Sequence, residues 1–158
     1  MYDLLIKNGL VANEHGVYPL DVAVKDEKVV ALTVHGQLDD SSASKVIDAA
    51  GKYVLPGGID THVHYDLSIS EAMSAQSAEA GSRAGIWGGT TTYIDFSMAS
   101  GEESLVGSIE GKLEQTQAQN PHSDYAMHAI LAGDWPLRSA DEIADAIMDV
   151  LQPHGVGV

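Results

Sequence analysis

From Pro56 onward the sequence alternates between strand-like and helix-like runs, and this alternation limits the possible folds more than any other feature. Gly58–His64 is a strand candidate. Ala72–Trp87, rich in Ala and Ser, reads as a tightly packed helix ended by Gly88-Gly89. Thr90–Phe96 is β-branched and aromatic, as strands are. Ser100 and Glu103 form a capping-box pattern ahead of a helix with an apolar stripe of Leu105, Ile109 and Leu113, Val106 beside it. Asp124–Leu131 is the next strand. Ser139 and Glu142 repeat the capping box, and Ile143, Ile147 and Leu151 repeat the stripe. Gly155–Val158 reads as the start of a fourth strand. Strand and helix in strict alternation predict a parallel sheet joined by right-handed crossovers. A complete (β/α)8 barrel needs ~250 residues, whereas Pro56 to Val158 supplies 103. The expectation is therefore the first three βα units of a barrel, in a chain that looks incomplete, or a flavodoxin-like open sheet.

Residues 1–55 have a different texture and predict a small β domain. Asp3–Lys7 and Leu10–Asn13 flank Asn8-Gly9, a strong turn pair. Val22–Lys25 and Val29–Thr33 flank Asp26-Glu27-Lys28 as a second hairpin, and Lys45–Asp48 and Tyr53–Leu55 are further strand candidates. Gly36–Ser44 is polar and reads as a loop.

Composition narrows the function classes. A formal net charge of −15 argues against a nucleic-acid partner, because a phosphate backbone must be met by clustered Lys and Arg, and equally against an anionic membrane surface. The absence of Cys excludes disulfides, Cys-ligated zinc and thiol catalysis. No apolar run approaches the ~18–20 residues of a membrane span, and Met1–Lys7 lacks the pattern of a signal peptide. A cytoplasmic location is the default expectation.

The chemistry lies in Pro56-Gly57-Gly58-Ile59-Asp60-Thr61-His62-Val63-His64. On a strand, alternate side chains share a face, so Asp60, His62 and His64 point one way, and Ile59, Thr61 and Val63 face the helices. The C-terminal ends of parallel strands are where α/β enzymes place their sites. Two imidazoles at i and i+2 can hold one cation, and imidazole suits zinc. Asp60, one pleat deeper, is placed to orient the ligands. A catalytic zinc usually has three protein ligands plus water, so two histidines need further partners.

This stretch resembles the first-strand metal signature of the amidohydrolase superfamily. Gly88-Gly89-Thr90-Thr91-Thr92-Tyr93-Ile94-Asp95-Phe96 is similar to the second barrel strand of its cyclic-amidase branch, the hydantoinases and dihydropyrimidinases. Asp3–Gly9 and Ile47–Leu55 resemble the same branch. The resemblance implies a small β-sandwich, of which 1–55 is the N-terminal part, and a (β/α)8 TIM-like barrel begun by 56–158. It implies two divalent metal ions, zinc first, with His62 and His64 on the more buried one. It places a bridging carboxylated lysine a few residues past Val158, and a proton-shuttling aspartate further on. The implied activity is hydrolysis of a cyclic amide, such as a hydantoin or dihydropyrimidine ring, by a hydroxide bridging the two metals. A homo-oligomer, tetramer or dimer, is also implied. An allantoinase- or dihydroorotase-type hydrolase and a non-catalytic, protein-binding homologue are the alternatives.

Two departures from the family pattern stand out. Tyr65 follows the second His where Leu or Phe is usual, and Asp66-Leu67-Ser68-Ile69-Ser70 lacks the Pro and Gly common in hydantoinase loops. In that family this loop helps wall the pocket for the ring substituent, which makes Leu67 and Ile69 the candidate substrate-pocket residues.

Overall fold

The computed structural model describes residues 1–70, 73–74, 76–99, 103–131 and 135–154. The chain divides into two compact units, Met1–Pro56 and Gly57–Val158.

The first unit is a five-stranded sheet. It comprises β1 (Tyr2–Asn13), β2 (Gly16–Lys25), β3 (Lys28–Val34), β4 (Ala43–Asp48) and β5 (Tyr53–Val54). The strand order is β3-β2-β1-β4, and β5 also pairs with β1. The Asp26-Glu27 turn forms as expected, with φ of 49° and 62°, joining β2 and β3 as an antiparallel hairpin. Asn8-Gly9 does not turn the chain. β1 runs straight through it with a register shift between Ile6 and Gly9, and Asn8 sits at φ 62°. A left-handed residue followed by Gly serves a bulge as well as a turn. Here the Asn8 N–H donates to the buried Asp21 carboxylate at 2.8 Å, which fixes the bulge. The polar 36–44 segment contains one 3-10 turn, Asp40–Ser42.

The second unit carries β6 (Gly58–Asp60), a short antiparallel pair β7 (Ser68–Ser70) and β8 (Met73–Ser74), α1 (Ala78–Trp87), β9 (Thr90–Met98), α2 (Leu105–Ala118), β10 (Asp124–Ile130) and α3 (Ala140–His154). The sheet order is β10-β9-β6, and both pairings are parallel, as the strand–helix alternation predicts; the order is that of consecutive barrel strands and not of a flavodoxin-like sheet. The Gly155–Val158 strand candidate lies outside the described residues. No described helix is long and apolar enough to cross a membrane.

Expectations for each of the three helices need correction. The Ala/Ser-rich helix starts at Ala78, with Ser77 as its N-cap. Trp87, at its other end, is 89% exposed. Helix α2 is capped by Ser104, whose hydroxyl accepts the Gly107 N–H at 3.0 Å; Ser100 lies outside the described residues. Its buried face is Leu105, Ser108, Ile109 and Thr116, with Lys112 between them. A strict four-residue spacing drifts off a face whose true period is 3.6, which is why Leu113 falls away from it. For the same reason α3 applies Ile143 and Ala146, and not Ile147, to the cluster of Ala99, Leu105 and Trp135. The Ser139–Glu142 capping box forms as expected. The Ser139 N–H and hydroxyl donate to Glu142 Oε2 at 2.9 and 2.7 Å, and Ser139 Oγ accepts the Glu142 N–H at 3.3 Å.

Candidate metal centre

Gly57 allows the chain to enter β6. A Cβ there would lie 2.0 Å from Thr91 Oγ1, so only Gly fits against β9. β6 itself ends at Asp60, but pairing with β9 continues through the Val63 N–H, which donates to the Ile94 carbonyl at 3.1 Å. The two histidines therefore sit just past the C-terminal end of the first parallel strand. Ile59, expected against the helices, is 64% exposed, because α1 and α2 pack on β9.

His62 Nε2 and His64 Nε2 face each other at 3.1 Å. Their rings meet edge to face with centroids 4.9 Å apart, and both lie against the Phe96 ring, at 4.5 and 4.9 Å. Phe96 is level with His128 in the β9–β10 register, and its ring lies 5.2 Å from His128. An aromatic row thus runs across one face of the sheet. The Asp60 carboxylate accepts the His62 backbone N–H at 3.1 Å, so it steadies the main chain there.

The residues present fit a metal ion. Two imidazole nitrogens 3.1 Å apart, each at zinc's usual distance of about 2.0–2.1 Å, would subtend roughly 100° at the ion, near the tetrahedral angle. The same separation suits a ring N–H donating to the other ring's nitrogen. Among the described residues no third His, Cys, Asp or Glu joins them in a metal-holding group.

The opposite face of β9 carries Tyr93, Asp95 and Ser97, all buried beneath α1 and α2. Asp95, 1% exposed, pairs with Lys112 of α2 at 3.1 Å, as an ion pair without directed hydrogen-bond geometry at Oδ2. Asp95 Oδ1 accepts the Phe96 N–H at 2.7 Å and, at a longer 3.4 Å, the Tyr65 N–H. Burial, and secondarily the Asp95 charge, holds the Tyr93 phenol well above its usual range.

Asp66, at φ 54°, ties off the loop that follows. Its N–H donates to the Gln76 carbonyl at 3.0 Å, and its Oδ2 accepts from Gln119 Nε2 at 2.8 Å and from the Ala78 N–H at 3.2 Å. Leu67 lines a cavity of about 230 Å³ together with Phe96, Met98, Ser108 and Lys112. Phe96 thus borders both the imidazoles and this cavity. The side chain of Ile69 lies outside what the structure describes.

Sequence reading missed Phe96 beside the imidazoles and the buried Asp95–Lys112 pair on the other face of β9. Lys112 had a signal: it is the one Lys or Arg between Arg83 and Arg138, and it falls on the buried face of its helix.

Comparison with known proteins identifies the family. The Amidohydrolase family model matches residues 53–148. A D-hydantoinase of Streptomyces coelicolor is 36% identical over 130 residues, covering 81% of this chain and 28% of that protein. A D-hydantoinase of Geobacillus stearothermophilus is 32% identical over 152 residues, covering 96% and 30%. The crystal structure of the dihydropyrimidinase from Brevibacillus agri superposes with a TM-score of 0.83 at 33% identity, over 99% of this chain and 32% of that one. The chain belongs to the amidohydrolase family, and these relatives are hydantoinases and a dihydropyrimidinase. Its fold is that of the first βα units of a TIM-like barrel, preceded in the chain by a small β unit. It spans about 30% of the length of the relatives it matches.

Proposed function

We propose that the protein hydrolyses a cyclic amide of the hydantoin or dihydropyrimidine type, with His62 and His64 binding one divalent metal ion, zinc in the first instance, of a two-metal site. The observation that carries this reading is the convergence of the two Nε2 atoms at 3.1 Å, at the strand ends where parallel α/β folds place their active sites. The family match adds weight, since amidohydrolases are generally metal-dependent. A bound divalent metal supplies a water acidic enough to ionise near neutral pH and a Lewis acid for the ring carbonyl.

The chain's own residues prepare that chemistry. His62 and His64 offer ring nitrogens on one side of the sheet. Asp60 holds the His62 backbone, and Phe96 shields one flank of both rings from water. Leu67, and with it Ile69, would meet the ring substituent. Residues 1–55 serve as part of the β domain and 56–158 as the start of the barrel.

The test is metal content and turnover of the full-length protein. His62→Ala and His64→Ala should each lower the bound zinc and abolish ring opening of hydantoin or dihydrouracil, while the β-rich circular dichroism is kept. Full metal occupancy in both variants would defeat the reading. A metal-loaded wild type that opens no cyclic amide would leave the metal site standing and favour the non-catalytic homologue.

A further inference from the structure

Tyr65, the residue after His64, is held at three points by groups on the far side of the sheet. Its carbonyl accepts from Lys112 Nζ. Its N–H points at Asp95 Oδ1 at 3.4 Å. Its ring lies in a notch that exists only because residue 81 is Gly: a Cβ there would come within 2.1 Å of Tyr65 Cε1. The ring is closed in from another side by Tyr93, edge-on at 4.9 Å. The side chains of Lys112 and Asp95 are 11% and 1% exposed.

An ion pair in this layer is costly. Desolvating a Lys and an Asp is repaid only with good geometry and further hydrogen bonds, and apolar residues of similar volume often do as well or better for stability. Among the described residues, the further bonds of this pair go to one place. Lys112 donates to the backbone beside His64, and Asp95 takes the backbone N–H of Tyr65 and that of Phe96, the ring that flanks both imidazoles. We propose that Lys112 and Asp95 are positioning residues: from behind the sheet they fix the Tyr65 and Phe96 backbone, and so hold the His64 ring converged on His62 for a shared metal ion. This inference rests on the metal reading above.

The experiment titrates the metal-stripped full-length protein with Co²⁺ and follows the visible d–d bands, which report ligand number and geometry. Wild type, His62→Ala, Lys112→Met, Lys112→Arg and Asp95→Asn are compared well below their unfolding temperatures. Partners behind metal ligands typically contribute about 10- to 100-fold in metal affinity. Lys112→Met and Asp95→Asn should weaken Co²⁺ binding by that factor and alter the band shape, and Lys112→Arg, which keeps a buried cation, should recover most of the loss. If Lys112→Met does not fold, the milder Asp95→Asn and Lys112→Arg still decide the matter. Variants that melt earlier but bind Co²⁺ with wild-type affinity and spectrum overturn the inference, because a merely structural pair predicts that pattern. Should His62→Ala bind as well as wild type, the metal reading itself falls.

Discussion

Replacing Gly81 with Ala sets two known effects against each other, and the structure decides which prevails. In a helix interior Gly→Ala ordinarily stabilises by roughly 0.5–1 kcal/mol, because Ala loses less backbone entropy on folding. Gly81 lies within α1, so that gain is available. The added Cβ, however, would stand 2.1, 2.5 and 2.7 Å from Tyr65 Cε1, Cζ and Cδ1. Carbon atoms rest at about 3.5–4.0 Å, so the ring would have to retreat by more than 1 Å. Tyr93 blocks one direction of retreat, and the backbone of Tyr65 is tied to Lys112 and Asp95. Overpacking of a site that cannot relax costs about 1–3 kcal/mol. The balance for Gly81→Ala is therefore destabilising, by up to about 2 kcal/mol.

A double-mutant cycle separates the two terms. In a Tyr65→Ala background the notch is empty and Gly81→Ala should return to its ordinary gain, so the two substitutions should couple by about 1–3 kcal/mol. Thermal unfolding midpoints of the four full-length proteins, taken at one scan rate, read this as a change of sign: Gly81→Ala lowers the midpoint with Tyr65 present and raises it without. Additivity within about 0.5 kcal/mol, the usual result for independent sites, would refute the packing of Tyr65 against α1 on which the positioning device depends.

Two further outcomes follow from the same structure. Hydrogen bonds from Ser139 hold the Glu142 carboxyl below its usual range; its contribution to α3 is therefore complete above the ordinary Glu pKa and lost as pH falls through the lowered value. Ser139→Ala should cost about 0.5–2 kcal/mol, as lost N-caps do, and should flatten the acid dependence of amide exchange in the first turn of α3; an unchanged acid limb would contradict the capping box. Leu67→Ala should shift the ratio of kcat/KM between small- and bulky-substituent ring substrates tens-fold, since each methylene of fit is worth about 1–3 kcal/mol, with metal content unaltered; an equal loss for every substrate would mean that Leu67 only packs beneath its loop.

The features legible in the sequence share one property: they are settled by near neighbours. Strand–helix alternation predicts the parallel pairing of β6, β9 and β10, because a parallel pair needs a crossover. Asp26-Glu27 and Ser139–Glu142 are closed within three residues, so their types suffice. The i, i+2 spacing of His62 and His64 is enough to put their rings on one side of the chain. Where reading failed, the deciding partner was distant or the local signal was ambiguous. Asn8-Gly9 suits a hairpin and a bulge equally, and only Asp21 of β2 chooses the bulge. The Ala- and Ser-rich segment before Ala78 has no apolar period to mark where α1 begins.

The two faces of β9 divide along the same line. Phe96 is the chain's one Phe, and alternation places it on the face opposite Asp95, but its neighbours there are residues more than 30 positions upstream, His62 and His64. Behind the strand, Lys112 reaches a carbonyl 47 residues away. A lone Lys among Leu105, Ser108 and Ile109 on a buried helix face can be noticed from spacing, yet its target cannot be read there, because the β9–α2 crossover alone brings it under Asp95. The imidazole pair is thus written in adjacent residues, while the groups that would hold it still are assembled by the fold, and substitutions at Lys112 or Asp95 would go unmarked by any scan for the histidine motif.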